Sequence, residues 1–132
     1  MKEPFVPNHL HLLVRGYVIN PPKDVKLVDN FLIDLVHNVR MKVVAGPTSV
    51  YVDDLGNEGA TGTITLATSH AAIHFWDNII PSLFQFDIYS CSEFTVEEVL
   101  KCINEHFNLK EANYVFLNRN KDLITEISKW SY

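Results

Sequence analysis

An apolar run begins after Asn8: His9-Leu10-His11-Leu12-Leu13-Val14-Arg15-Gly16-Tyr17-Val18-Ile19, β-branched towards its end and stopped by Asn20-Pro21-Pro22. It reads as a first strand. The pattern then changes period. Val25, Val28, Phe31, Leu32, Leu35, Val36 and Val39 recur three and four residues apart with Asp24, Asp29, Asp34 and Asn38 between them. That spacing predicts a core-facing helix over Asp24 to Arg40. Met41 to Val44 is apolar without helical period, Ala45-Gly46-Pro47 interrupts it, and Thr48 to Val52 is β-prone, so a strand pair with a kink is expected before the turn Asp53 to Gly59. Thr61 to Thr68 alternates Thr with apolar residues, as a strand with one buried face does. Leu83 to Cys91 alternates in the same way. Thr95-Val96-Glu97-Glu98 places a hydroxyl three residues ahead of a glutamate, a capping box that opens a second helix carrying Val96, Val99, Leu100, Ile103 and Phe107 on one stripe. Ala112 to Leu117 follows as a last strand, and Leu123, Ile124, Ile127 and Trp130 give Asp122 to Trp130 the spacing of a short terminal helix.

Strand, helix, two or three strands, helix, strand is the order of an α+β fold. Its economical form is a two-layer α/β sandwich, a mainly antiparallel sheet with both helices on one face. No repeat, linker or low-complexity tract divides the chain, so one domain spanning 1–132 is expected.

Composition narrows the partners. The 132 residues carry 11 basic and 16 acidic side chains, a net charge of −5, and the basic ones are scattered rather than grouped in a stripe. Such a chain offers little to a phosphate backbone, and nucleic acid is not an expected partner. No apolar stretch approaches membrane-spanning length, and Glu3, Pro4 and Pro7 stand where a signal peptide needs an apolar run. A soluble cytoplasmic protein without a membrane partner is expected. The two cysteines, Cys91 and Cys102, make no Cys-x-x-Cys spacing and no disulfide framework. Cys102 lies near the apolar stripe of its helix and is assigned to packing.

Reactive residues gather around Ser69 and His70. His70 and His74 form one histidine pair, His9 and His11 another, and pairs of this kind can hold zinc. Neither has a Cys, Asp or Glu beside it at ligand spacing, so no metal is expected, and His9 and His11 have no assigned role. Ser69 with His74, or Cys91 with a histidine, could make a nucleophile pair, but no Gly-x-Ser-x-Gly elbow accompanies Ser69.

Thr61-Gly62, then Ser69-His70-Ala71-Ala72-Ile73-His74-Phe75-Trp76, then Asp87-Ile88-Tyr89-Ser90-Cys91 resembles the core of the bacterial and archaeal S-adenosylmethionine decarboxylase proenzymes, over most of the chain and in the same element order. The resemblance implies a pyruvoyl-dependent carboxy-lyase of polyamine (spermidine) biosynthesis that makes its own prosthetic group. Ser69 would attack the carbonyl of Thr68 and the resulting ester would be lost by β-elimination, leaving fragments 1–68 and 69–132 and a pyruvoyl group derived from Ser69. A small-molecule substrate, S-adenosylmethionine, and a homodimer with sites near its interface are implied too. Carried over by position, His74 takes the Ser69 α-proton, Thr61 stands where a hydroxyl aids processing, and Cys91 protonates the decarboxylated carbon. Trp76, Asp77 and Asn78 fall on the substrate-binding segment. The chain departs from the family pattern there. Thr68 replaces the glutamate before the cleaved serine, Phe75-Trp76-Asp77-Asn78 replaces Thr-Trp-Pro-Glu, Ser92 replaces glycine, and the Ser69 to Cys91 segment is slightly longer. Two other readings follow from these departures: a homologue that does not process and serves as a binding or regulatory subunit, and a pyruvoyl decarboxylase of another amino acid such as arginine or ornithine.

Overall fold

The structure, a computed structural model, describes residues 9–120 and 124–131. Its elements are β1 (Leu10–Val18), α1 (Val25–Asn38), β2 (Val43–Val52), β3 (Gly59–Leu66), β4 (Ser69–Trp76), β5 (Ser82–Ser90), α2 (Val96–Phe107), β6 (Leu109–Asn118) and β7 (Thr125–Ser131). The strands form one antiparallel sheet in the order β2-β3-β4-β5-β1-β6-β7. Both helices pack on the same face, α1 against β2 and β3 and α2 against β1 and β6, and touch each other. This is the expected α+β two-layer arrangement.

Helix limits follow the local signals. Asp24 caps α1 by accepting from the Lys26 N–H at 2.9 Å, and the Thr95 capping box starts α2. The helices meet the sheet through an aromatic cluster in which Phe107 lies 5.2 Å from Phe31 and 4.9 Å from Phe75, ring centre to ring centre. Edge-on contacts at these distances add to the burial of the rings themselves.

Three expectations change. The strand pair foreseen over Met41 to Val52 is one strand, β2, whose register slips between Val43 and Ala45 and again between Ala45 and Thr48. Pro47 has no N–H to continue the ladder, so the chain bulges past it and resumes. Ser69 to Trp76, given no element from sequence, is strand β4. Its inward positions Ser69 and Ala71 are too small to announce an apolar face, and only Ile73 and Phe75 do so. The terminal helix is also corrected: Thr125–Ser131 is strand β7 on the outer edge of β6, while Asp122 and Leu123 lie outside the described residues. A seven-residue segment is too short to hold a helix by itself, whereas the open edge of β6 offers it a row of backbone partners.

Gly62 sets the distance between the layers. A Cβ there would stand 2.5 Å from the Val28 side chain and 3.1 Å from that of Leu32, so the missing side chain is what lets α1 lie close on β3. Gly62→Ala is expected to lower stability by about 1–3 kcal/mol in a urea-unfolding experiment, through overpacking rather than lost burial.

Candidate active site

Leu66 pairs with Ser69, so Ala67 and Thr68 form a two-residue turn between β3 and β4. Thr68 has φ +57°, in the left-handed region. A β-branched residue there is held at a cost of about 1–2 kcal/mol, directly before the peptide bond to Ser69. The surroundings fix it: the Thr68 hydroxyl donates to the Ala67 carbonyl at 2.7 Å and lies 2.8 Å from the Cys91 thiol. Ser69 opens β4 with its side chain turned to the buried side, 9% exposed, and its Oγ accepts from the Cys91 N–H at 3.1 Å. Thr68, Ser69 and Cys91 therefore form one constellation at the end of the sheet.

The turn after Cys91 is held by Ser90, fully buried, whose Oγ accepts from the Ser92 N–H at 2.9 Å and donates to the Ser92 carbonyl at 2.7 Å. Sequence reasoning gave Ser90 no role; a hydroxyl at the inward position that ends an alternating strand was the available signal. Cys91 is partly exposed, and its pKa is lowered by the hydrogen bond from Thr68 first and from Ser69 next, against a smaller desolvation effect. Cys102 is the opposite case, buried in the core with its thiol pushed up to about 12, by burial above all. It packs and does not react.

Thr61 and His74 face each other across β3 and β4, with Thr61 Oγ1 3.1 Å from His74 Nδ1. They lie on the sheet face that carries no helix, where His74 borders a groove of about 520 Å³ with Leu13, Arg15, Gln85, Asn113 and Val115. The structure does not bring His74 to Ser69. The two are five residues apart on β4, about 16 Å at the rise of a strand, and point to opposite faces.

Trp76 shares the open face with His74, ring centres 6.4 Å apart, and its indole N–H donates to Asn57 at 2.7 Å. Asp77 is buried at 8% exposure, and both its carboxylate oxygens accept from the Tyr51 hydroxyl, at 3.0 and 2.9 Å, with Lys23 at 3.3 Å. The bond to Asp77, ahead of burial, holds the Tyr51 phenol above its ordinary range. That carboxylate ties β2 and the chain before α1 to the end of β4. Asn78 is exposed.

The open face also carries polar residues that the sequence did not connect. His11 Nε2 lies 2.8 Å from Asp87 Oδ2, and His9 Nδ1 is hydrogen-bonded to the Tyr89 hydroxyl. Burial pushes the Asp87 carboxyl up, but the bonds and charge of His11, and then of His70, bring it below the usual carboxylate range. The signal for Asp87 was period two on a strand two residues before Tyr89, yet nothing in one strand names its neighbours on another.

Removing the Thr68 hydroxyl takes away the first cause of the lowered Cys91 pKa. Thr68→Val is expected to move the pH midpoint of iodoacetamide alkylation at Cys91 upward, and Thr68→Ser to keep it; an unmoved midpoint in Thr68→Val would show that the hydroxyl does not act on the thiol.

The S-adenosylmethionine decarboxylase family model matches residues 10–120. A curated relative, the S-adenosylmethionine decarboxylase proenzyme of Thermodesulfovibrio yellowstonii, is 28% identical over 112 residues, covering 83% of this chain and 78% of its own length. Among the described residues no helix is long and apolar enough to cross a membrane. A match that runs from β1 to the residues just past β6, and so takes in both helices and the strained turn with the thiol facing it, leaves one assignment: the chain belongs to the S-adenosylmethionine decarboxylase family.

Proposed function

We propose that this protein is a self-processing pyruvoyl enzyme that decarboxylates S-adenosylmethionine, with Ser69 as the source of the prosthetic group. The observation that carries the reading is the left-handed Thr68 directly before a serine whose Oγ is held by the Cys91 N–H. An acyl shift needs a peptide carbonyl raised in energy and a hydroxyl held beside it. In the shift the Ser69 Oγ bonds to the Thr68 carbonyl carbon and the Ser69 nitrogen leaves as an amine. Removal of the Ser69 α-proton then expels Thr68 as a carboxylate, and hydrolysis of the resulting dehydroalanine releases ammonia. The residues at the start of β4 fit the group so made: the position is screened from water, has a backbone N–H aimed at it, and stands beside a thiol. The ketone of a pyruvoyl group supplies an electron sink for the carbanion formed when carbon dioxide departs.

The thiol of Cys91, with its pKa lowered by Thr68 and Ser69, is suited to give a proton to carbon and recover it. His74, oriented by Thr61, is suited to take a proton. Because alternation along β4 keeps His74 away from the Ser69 of its own chain, the complete site is a two-chain site. Two open sheet faces, each bearing Leu13, Leu83, Val115 and Leu117, pack together and bring the Thr61 and His74 of one chain to the Thr68, Ser69 and Cys91 of the other. A sheet with helices on one face only, whose other face sets these apolar residues among histidines and other polar side chains, is completed by such a second layer, and twofold symmetry makes both sites equivalent. The substrate lies in the groove beside His74 and Trp76, and the site is cytoplasmic.

A second reading keeps the fold and changes the ligand. Asp77 is engaged by Tyr51 and Lys23, and Asn78 offers an amide where the family has a carboxylate. Both observations favour another amino acid, such as arginine or ornithine, or a non-processing subunit.

Intact mass spectrometry of fresh and aged protein, with and without a carbonyl-trapping reagent, tests the proposal. Fragments 1–68 and 69–132 are expected, with a carbonyl on the second, and only the full chain from Ser69→Ala; carbon dioxide release on a substrate panel then identifies the ligand. His74→Ala is expected to slow cleavage by about 10²–10⁴-fold. Mixing Ser69→Ala with His74→Ala chains is expected to restore cleavage of the latter, and no restoration in a confirmed mixed dimer would refute the shared site.

A further inference from the structure

The open face holds a second constellation, to which the proposed chemistry assigns no step although its Asp87 borders the groove beside His74. His11 on β1, Asp87 on β5 and His70 on β4 come from three neighbouring strands, with Asp87 between the two histidines. His11 Nε2 lies 2.8 Å and His70 Nε2 3.4 Å from the same oxygen, Asp87 Oδ2, and the three donor atoms all lie within 4.8 Å of one another. The imidazole planes of His11 and His70 stand at 86°, so the rings converge on the carboxylate edgewise without stacking. In the single chain the His70 side chain is 52% exposed and that of His11 lies deeper, at 18%, and both stand on the face that the proposed second layer covers.

We propose that His11, His70 and Asp87 form a binding site for a divalent transition cation of the zinc class, with a fourth position left to water or a ligand. The donor set, two imidazoles and one carboxylate, is one that zinc takes in sites with an open position. A tetrahedral ion about 2.0–2.2 Å from each ligand needs donor atoms about 3.3 Å apart, so the observed spacings require only a small opening at His11 and a movement of the exposed His70 ring. The fold supplies what the sequence lacked: neither histidine pair has a carboxylate at ligand spacing in the chain, and strand pairing brings Asp87 to His11 and His70 from elsewhere.

Arg119 regulates the site. Its guanidinium donates to His11 Nδ1 at 3.2 Å and rests over the Tyr89 ring, 4.6 Å from its centre. An Nδ1 that accepts leaves the proton on Nε2, pointed at Asp87. Coordination through Nε2 requires the other tautomer, with a proton on Nδ1 where Arg119 now donates. The cation and the Arg119 contact therefore exclude each other, and the positive charge opposes the ion as well.

The test is a calorimetric titration of the chelator-stripped full chain with zinc chloride, repeated with cobalt chloride to read the visible spectrum of the bound metal. One zinc per chain and the intense absorption of tetrahedral cobalt are expected. His70→Ala and Asp87→Asn each weaken binding by at least about tenfold, Arg119→Ala tightens it, and His37→Ala, exposed on the helical layer, leaves it unchanged. His70 is half exposed, so its replacement removes a ligand without opening the core. Absence of zinc binding at tens of micromolar overturns the proposal, and so does binding that survives both His70→Ala and Asp87→Asn.

Discussion

In a β-strand each side chain points to the face opposite its neighbour's, and the organisation of this protein follows from that alternation across one sheet. One set of positions meets the helices and is apolar almost throughout; the other set meets no helix and carries the histidines, Asp87, Tyr89 and Arg15. Ser69 belongs to the first set and His74 to the second, although the same strand bears both. No rotamer change moves a side chain across a sheet. The constraint therefore separates the hairpin that carries Ser69 from the Thr61 and His74 pair, and leaves the latter on the face that neither helix covers.

The strained turn depends on the same sheet. Thr68 takes its positive φ as the second residue of a two-residue connection from Leu66 to Ser69, and the antiparallel ladder on either side holds both ends in register. Buried hydroxyls then replace the water that the end of a sheet would otherwise recruit: Ser69 receives the Cys91 N–H, and Ser90 satisfies both backbone groups of Ser92. Leu10, paired with Ser90 across β1 and β5, and Phe94 and Phe116, 5.3 Å apart ring to ring, belong to the core cluster. Where the chain departs from the family pattern, the replacement has work of its own in this geometry. Thr68 reaches the thiol, and Asp77 ties the end of β4 to Tyr51 and Lys23.

Both helices and the strands β1, β3 and β5 were legible from periodicity and caps, because the layers impose their period on any chain that packs against them. Asp24 and Thr95 marked the starts of the helices through bonds made within one turn, which depend on nothing distant. β4 escaped because Ser69 and Ala71 are small on the buried side and leave only Ile73 and Phe75 to mark an apolar face. β7 escaped because Ile124, Ile127 and Trp130 fit helical spacing as well as strand spacing, and an edge partner decides between the two.

The sequence by itself determined the fold class, the two helices with their caps, the packing role of Cys102 and the residues on which the chemistry is proposed to rest, since each is set by local pattern or by an ordered motif. Tertiary structure alone decided which of those residues meet. It placed Thr68 against Cys91, sent His74 to the opposite face, spent Asp77 on Tyr51 and Lys23, and gathered His11, His70 and Asp87 from three strands. The physical reason is that strand register and the side a residue faces are settled by pairing between segments far apart in the chain, and a single strand read alone carries no record of its neighbours.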